Sequence, residues 1–350
     1  MPVRLPPMSR RLVTLLIAGV CVLAGLLVAA LTPVPYVALT PGPTLNTLGS
    51  PAGQPLIQIS GRRTYPTNGH LNMVTVSYSG GPGTRFNIFN ALGAWLTPDD
   101  AVVPQSEIFS PGQSQQQVLQ QDTQEMVGSQ QDATAAALCY LNIPFKTINQ
   151  VGVVERGTPA FSVLRKGDLI TAVDGKQPTC HTPVVAMIRD RKPGAPVTIT
   201  VDRGTTTRTF RLVTKDISNQ PVIGVQLNTT FTFPFTVKIY IPDIGGPSAG
   251  MMFALGIIDK LTADQLTAGK FIAGTGEIDA TGGVQPIGGI QQKMAGARNA
   301  GATVFLAPAG NCGDTSGAVP AGLRVVKVST LAGAVQALQN IKQGRPVPSC

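Results

Sequence analysis

Ser248 follows Gly245, Gly246 and Pro247 and precedes residues 251–261, which are apolar on most helical faces. A strand, a glycine turn, a serine and a helix in that order put a hydroxyl at a helix N-terminus. Unpaired N–H groups and the helix dipole favour negative charge there. Such a place can stabilise an acyl-transfer oxyanion, although a serine at a helix start is ordinarily only an N-cap. A serine nucleophile also needs a base. The chain has two histidines, His70 and His181, far apart and without metal-ligand spacing, so a Ser-His-Asp triad is disfavoured. A lysine can serve instead when burial disfavours its ammonium form. Lys293 is the candidate: Gly288-Gly289 turns the chain into a helical segment, and Ile290, Met294 and Ala297 give its surroundings apolar character.

The elements that must hold these two side chains are legible in outline. Residues 229–233 and 236–241 are β-rich and lead into the serine turn. Residues 56–59 and 71–77 alternate apolar with polar side chains, and Asn68-Gly69 offers a hairpin turn between them. Residues 97–145 read as helical, first Gln-rich and then apolar on the face of Ala133, Ala137, Leu138 and Leu141. Residues 146–215 form a module of short strands, a helix over about 182–190, and the turns Gly157-Thr158-Pro159-Ala160 and Lys166-Gly167-Asp168.

Composition bounds the setting. The net charge is +9, from 27 basic and 18 acidic residues, but no basic stripe or recognition helix accompanies it. Aromatic residues are scarce, with one tryptophan, Trp95, which argues against a stacking surface for single strands, so no nucleic-acid partner is expected. Arg4, Arg10 and Arg11 precede an uncharged run over 12–31, and no further Lys or Arg occurs until Arg62. About twenty apolar residues span the ~30 Å of a bilayer core. Arginines on one side place the N-terminus in the cytoplasm and the remainder outside. Val28-Ala29-Ala30 offers a signal-peptide cleavage site as the competing reading, but the run is longer than the usual signal core, which favours a retained single-pass anchor. Outside that run lie Cys139, Cys180, Cys312 and Cys350; three pairings exist, and nearness in sequence favours Cys139–Cys180 and Cys312–Cys350.

Two stretches resemble known families. Gly157-Thr158-Pro159-Ala160 and Leu164-Arg165-Lys166-Gly167-Asp168, in their strand and helix order, resemble a bacterial PDZ domain. That resemblance implies capture of an extended peptide by strand addition, with groove residues unassigned. Gly246-Pro247-Ser248-Ala249-Gly250, Gly274-Thr275-Gly276-Glu277-Ile278, Pro286-Ile287-Gly288-Gly289-Ile290-Gln291-Gln292-Lys293 and Ala300-Gly301-Ala302 resemble the proteolytic domain of Lon-type peptidases. With the apolar run in front, the whole chain looks like a membrane-anchored, PDZ-containing Lon-type serine protease of bacteria.

The resemblance implies an α/β (α+β) fold divided into an anchor over 1–35, a strand and helix region over 36–145, a PDZ-like domain over 146–218, a Lon-type domain over 219–342 and a tail over 343–350. It implies Ser248 as nucleophile, Lys293 as general base, Thr275 as the hydroxyl that orients the lysine, and backbone N–H groups of Gly246 and Ser248 as oxyanion donors. Asp243 is left as a residue behind the site. No cofactor or metal is expected, and no Gly-x-x-x-x-Gly-Lys-[Ser/Thr] loop occurs; Thr267-Ala268-Gly269-Lys270-Phe271 lacks its first glycine and its Ser/Thr. The expected activity is thus ATP-independent cleavage of flexible segments or termini, outside the membrane, with peptide or protein substrates, lipid around the anchor and a possible homo-oligomer. The rival readings are a catalytically silent PDZ adaptor and an exported inhibitor or assembly factor.

Overall fold

Ser9 accepts a hydrogen bond from the Leu12 N–H and starts α1 (Arg10–Leu31), a 22-residue helix with no buried residue and a mean hydropathy of 2.8. This is the computed structural model of the chain, and it describes residues 9–241 and 244–350. Strands β1 (Tyr36–Asn46) and β2 (His70–Gly80) follow, then the short helix α2 (Ile88–Leu96), opened by a capping box at Asn87. Next come β3 (Ala101–Pro104) and the long helix α3 (Gln115–Tyr140), capped reciprocally by Ser114 and Gln117. The stretch read as helical from residue 97 therefore begins with a strand. Val102 and Val103 pair with β1, and α3 starts only after Pro111-Gly112.

A small sheet comes next: β4 (Lys146–Val154), β5 (Leu169–Val173), helix α4 (Val184–Arg189), β6 (Pro196–Arg203), β7 (Thr206–Val213) and β8 (Val225–Thr232), in the order β8-β4-β5-β6-β7. Its apolar core gathers Val151, Ile170, Val184, Ile188, Ile199 and Leu212.

The chain then completes the larger unit with α5 (Gly250–Leu261), β9 (Phe271–Gly274), α6 (Ile290–Asn299), β10 (Val304–Pro308), β11 (Arg324–Val328) and α7 (Leu331–Lys342). The six-stranded sheet runs β11-β10-β9-β2-β1-β3. β2 and β9 to β11 are parallel, whereas β1 is antiparallel to both β2 and β3. Residues 36–145 and 219–342, separated by composition, thus share one sheet, with the small unit inserted between them.

The expected hairpin across Asn68-Gly69 does not form. Ile57–Ser60 pairs with Thr236–Ile239, and β2 pairs with β1 and β9 instead. Alternation fixes which face of a strand is buried, not which strand it meets.

That alternation separates two cores. Met73, Ile272, Leu306 and Val326 face one side of the sheet, packed with α3, α5 and α7. Val74, Ala273, Phe305 and Val325 face the other, packed with Ile290, Met294 and Ala297 of α6. Helices carrying the two candidate catalytic residues therefore flank opposite faces, and the residues just past the carboxyl end of β9 are where they meet.

Two disulfides form, Cys139–Cys180 and Cys312–Cys350. The first ties α3 to the loop ahead of α4, joining the small unit to the large one. Its sequence separation of 41 residues predicts that replacing both cysteines by alanine lowers stability by about 2–4 kcal/mol, read as a fall in the urea midpoint.

Candidate active site

The serine turn is held by close backbone packing. A Cβ on Gly245 would lie 2.5 Å from the Cβ of Asp122 on α3, so no side chain fits. Gly246 has φ +84°, the left-handed region that glycine adopts without strain, and its N–H donates to the Asp122 carbonyl at 2.9 Å. One α3 turn pair later, the Ser129 hydroxyl donates to the Pro247 carbonyl at 2.9 Å. From the far side the Thr275 hydroxyl and the Gly276 N–H both donate to the Ser248 carbonyl, at 2.9 and 2.8 Å. The backbone of a half-buried Ser248 is thereby clamped between α3 and the residues that follow β9.

Lys293 arrives from the other face. Gly289, at φ +66°, opens α6 where an added Cβ would sit 2.7 Å from Val76 Cγ1. That close approach seats the first turn of α6 on β2. Lys293 is 2% exposed, and its Nζ donates to Ser248 Oγ at 2.9 Å. Burial alone pushes its ammonium down from 10.5 to about 8, and no carboxylate forms an ion pair with it among the described residues. A buried amine near neutrality, bonded to a serine hydroxyl at a helix start, can accept the hydroxyl proton.

The structure places the other expected residues differently. Thr275 is fully buried, but its hydroxyl serves the Ser248 carbonyl and not the Lys293 amine. It orients the backbone of Ser248. Gly246 does not offer its N–H to an oxyanion, because the Asp122 carbonyl already takes it. The N–H groups of Ser248 and Ala249 donate to no group among the described residues, which leaves them for that task. Asp243 lies outside the described residues. His70 stacks on Phe271 with ring centroids 4.5 Å apart, and His181 is exposed beside the Cys139 sulfur at 3.5 Å. Cys139, Cys180 and His181 lie within 4.8 Å of one another, but the disulfide uses both sulfurs.

Sequence reasoning found the helix of α3 but missed its part in the site. Asp122 and Ser129 are seven positions apart, hence on one helical face, yet nothing in a Gln-rich helix marks that face as a buttress. The same helix lines a cavity of about 260 Å³ beside Pro247 with Glu125, Ser129 and Asp132, opposite Glu277 and Ile278. Burial, with Asp279 and Glu277 nearby, pushes Asp132 up to about 6; burial and Glu125 raise Glu277 and Asp122 as well.

Residues 225–340 match the model of the Lon protease C-terminal proteolytic domain, and residues 139–214 match a PDZ domain. Among curated proteins, Lon protease 2 of Herpetosiphon aurantiacus is 42% identical over 82 residues, covering 22% of this chain and 10% of that protein. Lon protease of Roseiflexus castenholzii is 44% identical over 95 residues, covering 26% of this chain and 12% of the relative. The chain thus spans about a tenth of the length of these relatives. Among solved structures, the PDZ domain of an SdrC-like protein from Listeria monocytogenes is 30% identical, covering 23% of this chain and 85% of that one at a TM-score of 0.22.

Two predictions follow from the buried amine. With Lys293 as the base for Ser248, kcat/KM for a peptide substrate should rise about tenfold per pH unit below about 8 and level off above it. A flat profile would remove Lys293 as the base. The folded pKa lies below the unfolded one, so folding carries the full desolvation penalty below about pH 8, and the penalty fades as pH rises towards 10.5. Lys293→Met should therefore be inactive yet more stable at pH 7, by roughly 2–3 kcal/mol in urea unfolding, with the gap closing above pH 8.

Proposed function

We propose that this chain, which carries a Lon-type proteolytic domain and a PDZ domain, is an ATP-independent serine endopeptidase with a Ser248–Lys293 dyad, anchored in the cytoplasmic membrane and working on its outer side. The 2.9 Å bond from the Lys293 amine to Ser248 Oγ, made out of water, carries this reading.

The steps use this chain's own groups. Neutral Lys293 takes the hydroxyl proton as Ser248 Oγ attacks a peptide carbonyl. The oxyanion meets the N–H groups at the start of α5, those of Ser248 and Ala249. The Lys293 ammonium then protonates the departing amine, and water attacks the acyl-enzyme with the lysine again as base. Thr275 and Gly276 keep the Ser248 carbonyl turned away from this chemistry. None of these steps calls on nucleotide, and no Gly-x-x-x-x-Gly-Lys-[Ser/Thr] loop occurs in the chain to bind one.

Presentation by the PDZ unit rests on a cavity of about 1090 Å³ between α4 and β8. β8 is an edge strand: β4 pairs with one side, and the other has no strand partner among the described residues. The N–H groups of Ile223 and Gly224, at the start of this edge, donate to no described group and suit a peptide carboxylate. The cavity continues to Asp132 and residues 279–281, and Asp132 also lines the smaller cavity beside Pro247. A peptide paired with β8 would thus lead towards Ser248.

Export is supported by α1, long and apolar enough to cross a bilayer, by the arginines before its apolar run, and by two disulfides that an oxidising compartment sustains.

The test uses an unstructured peptide library without ATP. The intact chain should cleave it and Ser248→Ala should not; equal cleavage by both would reject the serine. Val185→Glu, on the exposed rim of α4, should weaken cleavage of peptides with a free C-terminal carboxylate by about tenfold and spare their amidated forms. Equal effects on both forms would reject carboxylate capture.

A further inference from the structure

Helix α2 is built with its small residues inward. Ala91 and Ala94 pack against Ala38 and Val102, whereas Ile88, Phe89, Leu92, Trp95 and Leu96 are exposed. At about 100° per residue those five side chains fall within an arc of about 120°, so they form one continuous apolar face. Trp95 is 72% and Leu96 68% exposed, and no residue of the helix is charged. An apolar face of this kind on a water-borne helix calls for a partner.

The position of the helix identifies that partner. The Asn87 side chain, which caps α2, donates to the Ala30 carbonyl in the last turn of α1 at 2.8 Å. The Val34 N–H donates to the Phe86 carbonyl at 2.8 Å, and Pro33 bridges to Asn87. The start of α2 is therefore fastened to the end of the apolar span. Its nine residues cover about 13 Å, so all of them stay close to the depth at which α1 leaves the hydrocarbon. That depth is the interfacial layer, where tryptophan, with its apolar rings and polar N–H, is enriched.

We propose that α2 is a second membrane contact, lying in the outer interfacial layer with Ile88, Phe89, Leu92, Trp95 and Leu96 among the lipids. This rests on the anchored reading of α1. One helix alone leaves the body free to swivel about its tether. With α2 seated as well, β1 and β3, which pack against it, are fixed relative to the bilayer, and the sheet they belong to takes one orientation over the membrane.

Trp95 is the chain's only tryptophan, so its fluorescence reports on this face alone. The full chain would be reconstituted in phosphatidylcholine vesicles carrying a doxyl group near the headgroup, and flotation would confirm that it stays with them. The expected result is emission shifted to the blue, quenched several-fold more by the doxyl lipid than by iodide in the water. Leu92→Glu with Leu96→Glu, both at exposed positions, should reverse that preference while the chain still floats and still cleaves soluble peptide. Quenching by iodide in a floating chain would overturn the proposal. So would protection from both quenchers, which would mean that a second protein surface covers the face. A chain that does not float would overturn the anchor and this proposal together, whereas loss of peptide cleavage with lipid quenching intact would count only against the catalytic reading.

Discussion

An ammonium group withdrawn from water, with no counter-ion among the described residues, is the constraint on which the rest of the site depends. A lysine in that state gives up its proton near neutrality because the charged form lacks solvation, and here burial is the whole cause. Every contact that keeps water from Lys293 is thereby a chemical contact as well as a packing one. Ile290, Met294 and Ala297 hold α6 to the sheet, and the absent side chain of Gly289 lets that helix approach Val76. A carboxylate beside the amine would make a better-solvated, more stable protein and a poorer base.

Ser248 is held by a different economy of bonds. Among the described residues its hydroxyl makes one hydrogen bond, to Lys293, while the turn around it is held by Asp122, Ser129, Thr275 and Gly276. Rigidity is supplied to the backbone, and the hydroxyl is left with a single proton acceptor. Helix α3 contributes two of those backbone clamps, carries Asp132 on the wall of both cavities, and ends at the disulfide to the small unit. One helix therefore connects the two cavities, the serine turn and the PDZ unit.

Local chemistry was legible in the sequence where it was encoded locally. Gly246-Pro247-Ser248 and Gly288-Gly289 marked the two helix starts, and the scarcity of histidine directed attention to Lys293. The pairing of Ile57–Ser60 with Thr236–Ile239 was not legible, because period-two alternation carries no address. Nor was the role of Thr275 as a clamp on Ser248, since a hydroxyl's choice between an amine and a carbonyl depends on tertiary placement. The Gly246 amide was lost as an oxyanion donor for a similar reason: its competitor, the Asp122 carbonyl, belongs to a distant helix. Composition drew boundaries at the small unit, whereas the hydrogen-bonded sheet crosses them, and β8, within the Lon-type match, completes the PDZ-side sheet.

The insertion has a temporal consequence for a chain made from its N-terminus onward. β2 cannot gain its neighbour β9 until the small unit has been synthesised, because His70 pairs with Phe271 across that whole interval. β1 and β2 pair with each other without β9, but the sheet they belong to gains β9, β10 and β11 only from the chain beyond the small unit. Ser248 and Lys293 come from opposite faces of that sheet. A chain that has not yet reached residue 293 lacks one half of the Ser248–Lys293 pair, so that hydrogen bond can be made only when most of the chain has been synthesised.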